Sequence, residues 1–401
     1  MPVPVFKDYA TLSKITDKHI VLQMDDRIYL HRSDVSPLLS FLVKNGGKGA
    51  INEMRNVGNM EFYWLTKRTK PPYVLLAQNH TANSGTLIVP KGDGVWFEVN
   101  TICYCDGLQF MVTDVTFGVN YDTLTVSLFP STQTDKNISA GAKINIAYAV
   151  FGERANAPLG NFEDVIENFN YLEQMMKGCS FTRIQLETQK YGEDIRRLEH
   201  NIKLMAHKIE IENKFILSQM AKDTTNDAVD GIGTIWNTQG LLGVITAKVL
   251  DFNGSAWSYD LILASLPNLL EYSDPNDIIF YVPSSFLTKL NLAMVDKLWV
   301  DTNDKSFGTA VMKLNTPYGE FPLIRSVAVL DNISPPTALL INKRELKKVN
   351  FRGVADGWGE VELVMNAQAK NQPNLIHDYW RGITGLQWGW ADKHAKIINW
   401  V

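Results

Sequence analysis

Only three cysteines occur in the 401 residues, Cys103, Cys105 and Cys179, too few and too odd in number for a disulfide framework. A reducing compartment is expected, and the fold must rest on its core. An excess of one charge is also missing: 39 Lys plus Arg face 43 Asp plus Glu, a net charge of −4 with no dominant block. That balance argues against a dedicated nucleic-acid binder. No long hydrophobic run exists, since the stretch from Gly231 to Ala247 is broken by Thr, Asn and Gln and a bilayer span needs about 20 apolar residues. The opening MPVPVFKDYATLSK has no basic stretch followed by an apolar one, so neither a secretory leader nor an anchor is expected. The sequons at Asn79, Asn137 and Asn253 then read as chance matches.

Catalytic signatures are equally scarce. The run Lys44-Asn45-Gly46-Gly47-Lys48-Gly49 lacks the spacing of a phosphate-binding loop, and neither G-x-G-x-x-G after a strand nor G-x-S-x-G occurs. Internal repeats and low-complexity tracts are absent too. What remains is an ordinary globular composition, 45% hydrophobic, 10% aromatic and 20% charged, long enough for two or three domains or one domain with a large insertion.

Residues 1–83 read as an extended arm with an apolar patch at SPLLSFLV and a strand at Met60–Thr66 stopped by Pro71-Pro72. Residues 84–155 change to short β-branched and aromatic runs, GTLIV, VWFEV, QFMVTDV, TLTVSLF and KINIAYAVF, separated by turn residues, which predicts a small barrel or sandwich. Between Tyr191 and Met220 the period becomes helical. Ile195, Leu198, Ile202, Met205, Ile209 and Ile216 recur at helical spacings and form the expected packing stripe. Glu193/Arg197, Glu199/Lys203 and Glu210/Lys214 stand four apart, acid first, which supports the helix. The second half alternates helix and strand: a helix at Tyr259–Leu270 broken at Pro267, a buried strand at Ile278–Val282, a helix to Met294, and a hairpin of Thr309–Leu314 with Glu320–Arg325.

Of seven histidines only His200 and His207 share a helix face, two turns apart, which misses the i,i+4 spacing of metal ligands. They read as solvated or interfacial imidazoles. Glu360 and Glu362 alternate along one strand, and with the tail tryptophans Trp358, Trp380, Trp388, Trp390 and Trp400 they leave a carbohydrate-acting enzyme or sugar-binding module as an alternative. The basic run Lys343–Lys348 could touch nucleic acid or acids of a neighbour. No acid, base, nucleophile and oxyanion donor converge, so no catalytic, cofactor or metal residue is assigned.

The order of elements carries a resemblance. The stretches SPLLSFL, NMEFYWL, YAVFGERANAP, YGEDIRRLEHNIKLMAHKIEIENKFIL, GIGTIWNTQGLLGVI, TPYGEFPLIRSVAVL and VELVMNAQAKNQPNLIHDYWRGITGL follow one another as in tailed-bacteriophage major capsid proteins of the Hong Kong 97 type. The chain resembles a subfamily of these that carries an inserted β-barrel. The resemblance implies an α+β capsid fold: arm and first strands 1–83, inserted small all-β barrel or sandwich 84–155, peripheral domain 156–234 with spine helix 191–220, axial domain 235–350, and C-terminal strands 351–401 returning to the peripheral domain. It also implies a non-enzymatic, cofactor-free protein of the virion capsid, assembled in the host cytoplasm into hexamers and pentamers of an icosahedral shell around double-stranded DNA. The DNA would be touched weakly and without sequence specificity. Portal, scaffold or decoration proteins would be further partners, and no membrane is involved. An encapsulin-type cargo shell has the same fold and stands as a second alternative.

Overall fold

The computed structural model describes residues 37–39, 55–151, 153, 165–188, 194–225, 233–294, 313–326, 329–351, 361–367 and 374–401. Most of the expected arm therefore lies outside the described residues. Two compact units make up the chain: Trp64–Asn168, and Met1–Tyr63 together with Phe169–Val401.

After β1 (Arg55–Val57) and β2 (Glu61–Thr66) the smaller unit builds one antiparallel sheet. Its strands are β3 (Tyr73–Leu75), β4 (Thr86–Pro90), β5 (Thr101–Cys105), β6 (Leu108–Thr116), β7 (Tyr121–Leu128) and β8 (Lys143–Ala149). They lie side by side as β3-β8-β5-β6-β7-β4. Alternate residues point inward, so Leu87 and Val89, Phe110 and Val112, and Leu124 and Val126 share one core with Phe97 and Cys103. The sheet curls into a half barrel, and the N–H of Ala77 donates to the Ile88 carbonyl at 2.8 Å where its two edges approach. Two differences from the sequence reading follow. The unit is wider than residues 84–155, because Val74 and Leu76 on the β3 edge already join its core. The run VWFEV is not a strand: Gly94–Trp96 form a short helical turn, drawn in by the Asp122 carboxylate, which accepts the N–H groups of Gly92 at 2.7 Å and Gly94 at 3.1 Å.

The larger unit continues through β9 (Ile166–Tyr171), β10 (Glu173–Thr182), α1 (Arg183–Glu187), α2 (Ile195–Leu217), β11 (Ala221–Asp223), β12 (Ile235–Asn237), α3 (Leu241–Val244), β13 (Val249–Asp251), α4 (Tyr259–Leu269), β14 (Ile278–Val282) and α5 (Ser284–Met294). Then come β15 (Lys313–Thr316), β16 (Gly319–Arg325), β17 (Thr337–Asn342), β18 (Leu346–Phe351), β19 (Glu362–Val364), β20 (Leu375–Trp388) and β21 (Ala395–Ile398). One sheet is ordered β1-β18-β20-β10, with β19 on β20, and the other β13-β21-β17-β14-β16-β15. Every residue of β14 is buried, as expected of a strand covered on both faces. Ile278, Phe280 and Val282 pack with Ile262 and Leu266 of α4 and Phe286 of α5. Tyr281, with Leu339 and Ile341 of β17, instead joins a core containing Ile211, Phe215 and Ile216 of α2 and Leu38 and Leu39.

The spine helix is shorter than expected. Asp194 caps it, its side chain accepting the Arg196 N–H at 3.0 Å, and Ser218 already has an extended backbone. The Ser218 carbonyl accepts Gly240 N–H at 2.8 Å and its hydroxyl meets Asn237 at 2.9 Å, so the chain turns off at that point. Residues 191–193 lie outside the described residues. α4 is not broken at Pro267 but runs through it to Leu269. The proline sits in the last turn, where it forfeits a single helical hydrogen bond. The hairpin strands are Lys313–Thr316 and Gly319–Arg325, with residues 309–312 outside the described set.

Candidate functional site

The spine helix α2 lies on β10 and β20, and polar side chains occupy the contact in chain order. Near its start the fully buried carboxylate of Asp378 on β20 accepts Arg196 Nε at 2.7 Å and Nη2 at 2.9 Å, His200 Nε2 at 2.8 Å, and the Asn366 N–H at 2.8 Å. Burial alone would raise this carboxyl, but the bonds from Arg196, Asn366 and His200 outweigh it and hold it at about 2. Next along the strand, the Trp380 indole donates to the His200 carbonyl at 2.9 Å. His207 follows over Gly382, where an added Cβ would lie 3.4 Å from its Nε2. Neither nitrogen of His207 has a hydrogen-bond partner among the described residues. Burial, then the charge of Lys214, press its imidazole down to about 4. Last comes Lys214, whose Nζ donates to the Thr384 carbonyl at 2.9 Å and reaches that of Glu173 at 3.5 Å. Burial lowers this ammonium to about 7.

The face lying against the sheet is thus Arg196, His200, His207 and Lys214, a periodicity hidden from a search for apolar stripes. Ile195, Leu198, Ile202, Met205 and Ile209 are only half-buried, and Ile216 alone of the expected stripe is fully buried. The reason is rotational: Ile202 stands two residues from His200, about 200° around a helix of 3.6 residues per turn. The stripe therefore faces away from the sheet for most of its length, and only the C-terminal turns are enclosed all round. His200 and His207 are correspondingly buried rather than solvated. Within that enclosed end the Glu212 carboxylate accepts the Tyr281 hydroxyl and the Leu39 N–H, the latter at 3.2 Å, which ties strand β14, the helix and residues 37–39 together. Burial and then the Glu212 charge push the Tyr281 phenol well up.

Other constellations resolve into structural roles. Glu362 is paired with Arg381, at 2.6 Å and 2.7 Å, while Glu360 and Trp358 lie outside the described residues. Trp400 is buried beside Phe286 and Trp380 is bonded to the helix, so they offer no sugar platform. In the basic run, Arg344 and Lys343 meet Asp277 at 2.8 Å and 3.5 Å and Lys348 is buried. Cys103, Cys105 and Cys179 are buried thiols. Among the described residues no group of three or more His, Cys, Asp or Glu gathers as for a metal, and no helix is long and apolar enough to cross a membrane.

One cluster escaped the sequence reading because its members are far apart in the chain. In the smaller unit Ser84 Oγ lies 3.1 Å from His80 Nδ1, and His80 Nε2 lies 3.2 Å from Asp135, the members of a hydrolase triad with the two ring nitrogens exchanged. Its proton inventory disarms it. His80 Nδ1 also contacts the Thr86 carbonyl at 2.8 Å, and a carbonyl can only accept, so this nitrogen is a donor and no base for Ser84. The cluster is a clasp: Asp135 also takes the N–H groups of Asn83 and Lys136, each at 2.8 Å. Burial would raise the Asp135 carboxyl, yet these bonds and His80 hold it below its ordinary value. Asp135→Ala should destabilise this unit by about 2–4 kcal/mol, since it leaves an imidazole and two N–H groups without their acceptor. Ser84→Ala should change it by less than about 0.5 kcal/mol. Urea unfolding at neutral pH checks both, and the contribution of Asp135 should disappear as pH falls through the carboxylate range. Equal effects of the two substitutions would refute the clasp.

The SU10 major capsid protein family matches residues 8–397. No curated protein sequence matches the chain. Among solved structures, the capsid of an empty GTA particle aligns over 99% of this chain and all of its own, with 8% identity and a TM-score of 0.52. The Gordonia phage Cozz structure covers 95% of this chain and 91% of its own at 10% identity and a TM-score of 0.49. An encapsulin complex of Synechococcus elongatus covers 59% and 78% at 13% identity and 0.41. At such identities only the fold is shared, and the first of these shows a capsid-type α+β architecture.

Proposed function

The chain belongs to the SU10 major capsid protein family, and from that membership we propose how its parts serve a shell. It is a structural component of the virion and not an enzyme, and its copies form the icosahedral wall of a tailed phage. The observation that carries this reading is the family match over nearly the whole length. In our reading the half-barrel unit is a domain inserted into the Hong Kong 97 type fold. α2 with β10 and β20 forms a peripheral domain, and residues 235–350 form the axial domain around the capsomer axis. Hexamers and pentamers build the shell, which holds DNA weakly, because a chain of net charge −4 offers no strongly basic lining. Scaffold, portal or decoration proteins complete the particle.

The half-exposed stripe of Ile195, Leu198, Ile202, Met205 and Ile209 then has a use on assembly, since it faces away from its own sheet. Purified protein is expected to form closed shells of uniform diameter in negative-stain microscopy. Material that stays monomeric under all assembly conditions would argue against the reading, and shells that protect protein cargo but no DNA would favour the encapsulin alternative. Ile202→Asp should lower subunit stability by about 1–3 kcal/mol, because the side chain is half-buried and a carboxylate there is partly desolvated. Its effect on particle yield should be larger. Lys203→Ala, which removes at most one helix-surface pair worth about 0.2–0.5 kcal/mol, should leave both nearly unchanged by thermal melting and sedimentation.

A further inference from the structure

Strand pairing fixes which side chains of the smaller unit stand together on the face turned away from its core. Tyr104 on β5 lies opposite Asn145 on β8 and opposite Gln109 on β6. The β6–β7 register, Phe110 against Leu128, carries Gln109 to Phe129, whose N–H donates to the Gln109 carbonyl at 2.9 Å. Opposed residues share a face. Asn145, Tyr104, Gln109 and Phe129 therefore form one row from β8 to the end of β7, three strand spacings or about 14 Å. A second row runs beside it: Ile102 lies opposite Tyr148 and Met111, and Met111 opposite Ser127. It is two residues away on β5, β6 and β7, and three on β8, where the register shifts beside Ile102. The core takes the alternate residues Cys103, Cys105, Phe110 and Val126, so both rows belong to the outer face.

Neither row holds a charged residue. Charges begin outside them. Lys143 lies over the Tyr73 ring at 4.1 Å, Asp106 in the β5–β6 turn is paired with Lys136 at 2.8 Å, and Asp114 stands opposite Thr125 in the row beyond Met111. Within the two rows Tyr148, Tyr104 and Phe129 are 53%, 41% and 40% exposed, Asn145 is exposed and Gln109 half-buried. The first row thus alternates amide, aromatic, amide, aromatic across the sheet.

We propose that this face binds an extended, neutral polysaccharide. A sugar ring presents C–H bonds on its flat faces, which pack on aromatic rings, and hydroxyls at its edge, which pair with the donors and acceptors of an amide. Phosphates or acidic sugars would call for Arg or Lys, and neither row has one. Tyr104 and Phe129 stand two strand spacings apart, about 10 Å, which suits stacking under alternate rings of an extended chain, with Gln109 between them. The two rows measure only about 14 Å by 7 Å, far below the roughly 800 Å² that a protein partner covers in a standard interface, so the surface fits a slender ligand. Aromatic side chains held on a strand ladder lose little freedom when such a ligand stacks on them.

The binding goes beyond the shell reading and does not depend on it, because a single subunit carries the whole face. Affinity electrophoresis of the full-length, unassembled protein tests it. Native gels containing hydroxyethylcellulose, a neutral β-1,4-linked glucan, should retard the protein, and gels containing heparin should not. Tyr104→Ala should reduce the retardation at least fivefold with unchanged thermal melting, whereas Tyr104→Phe, which keeps the ring, should retain at least half of it. Wild-type mobility that hydroxyethylcellulose leaves unchanged overturns the proposal, as does equal retardation of wild type and Tyr104→Ala, or retardation by heparin as strong as by the glucan. Should Tyr104→Ala not fold, Asn145→Ala decides by the same comparison: its retardation should fall at least twofold, and an unchanged value overturns the proposal. Failure of the wild type to form shells would count against the capsid function alone and leave the result in the gel standing.

Discussion

Asp378→Ala is expected to cost the subunit about 3–5 kcal/mol, the loss typical when one member of a buried ion pair is removed and the other stays behind. Two cationic or polar groups on α2, Arg196 and His200, direct donors at this one carboxylate, and the Asn366 N–H adds a third. Without the carboxylate Arg196 keeps, among the described residues, its 3.0 Å bond to Asn366 Oδ1, and His200 is left against Phe181. The N-terminal half of the helix should then detach from β20, since its buried contacts there are polar, whereas the C-terminal half is also held by Ile211, Phe215 and Ile216 in an apolar core. Asp378→Asn should be nearly as harmful, because an amide oxygen can accept the Asn366 N–H but cannot neutralise Arg196. The sign of the pH dependence follows from the depressed carboxyl. Its stabilisation is complete above the ordinary value of 3.8 and is lost as pH falls toward about 2. Urea unfolding at pH 7 and pH 3 tests this, with the gap between the two proteins narrower at pH 3 but not closed, because the folded carboxyl is still mostly ionised above about 2. A loss below about 1 kcal/mol at pH 7 would mean that the helix is not seated by Asp378.

How much of this could be read from the sequence depended on whether the informative residues were neighbours. The helix itself was plain, because its charged pairs and its apolar residues recur within one turn. The buried strand Ile278–Val282 was plain because five apolar residues in a row leave little else. The face of the helix was not, because apolar periodicity locates the seated side only where apolar contacts seat a helix, and the seating group here, Asp378, is 182 residues beyond Arg196. Leu198 and Ile202 made a convincing stripe, yet His200 between them turned toward the sheet. The same limitation hid the clasp of His80 and Asp135, 55 residues apart. It also turned VWFEV into an apparent strand, since Asp122 acts on that segment from 28 residues away. Local pattern reports what a segment can become, and remote polar anchors decide which side of it is used.

Lys214→Met should have the opposite sign to the loss at Asp378, although both sites are buried charges under the same helix. Asp378 is answered by donors on every side, whereas Lys214 has no ion pair among the described residues and only two carbonyl acceptors. Replacing such a charge with an apolar side chain of similar length often stabilises by about 1–4 kcal/mol. A methionine can keep the packing of the lysine stem beside Phe215. The lowered ammonium sets a pH signature. Below about 7 the lysine is charged in both states and the burial penalty is complete, while above 7 the folded form sheds a proton that the unfolded form keeps up to 10.5. Stability of the wild type should therefore rise between pH 7 and 10.5 from this source, and the methionine variant should lose that slope. His207 does not disturb the comparison, because its imidazole, at about 4, is already neutral in the folded protein over this range. Other groups titrate there, and those remote from Lys214 cancel between the two proteins, so the difference between the two urea-unfolding curves reports Lys214 with the nearby charges of Glu173 and Lys348. The gain from methionine should be largest at pH 7 and shrink steadily toward pH 10. A variant less stable than the wild type at pH 7, or a gain that does not vary with pH, would show that the ammonium of Lys214 is not held in a desolvated seat under the spine helix.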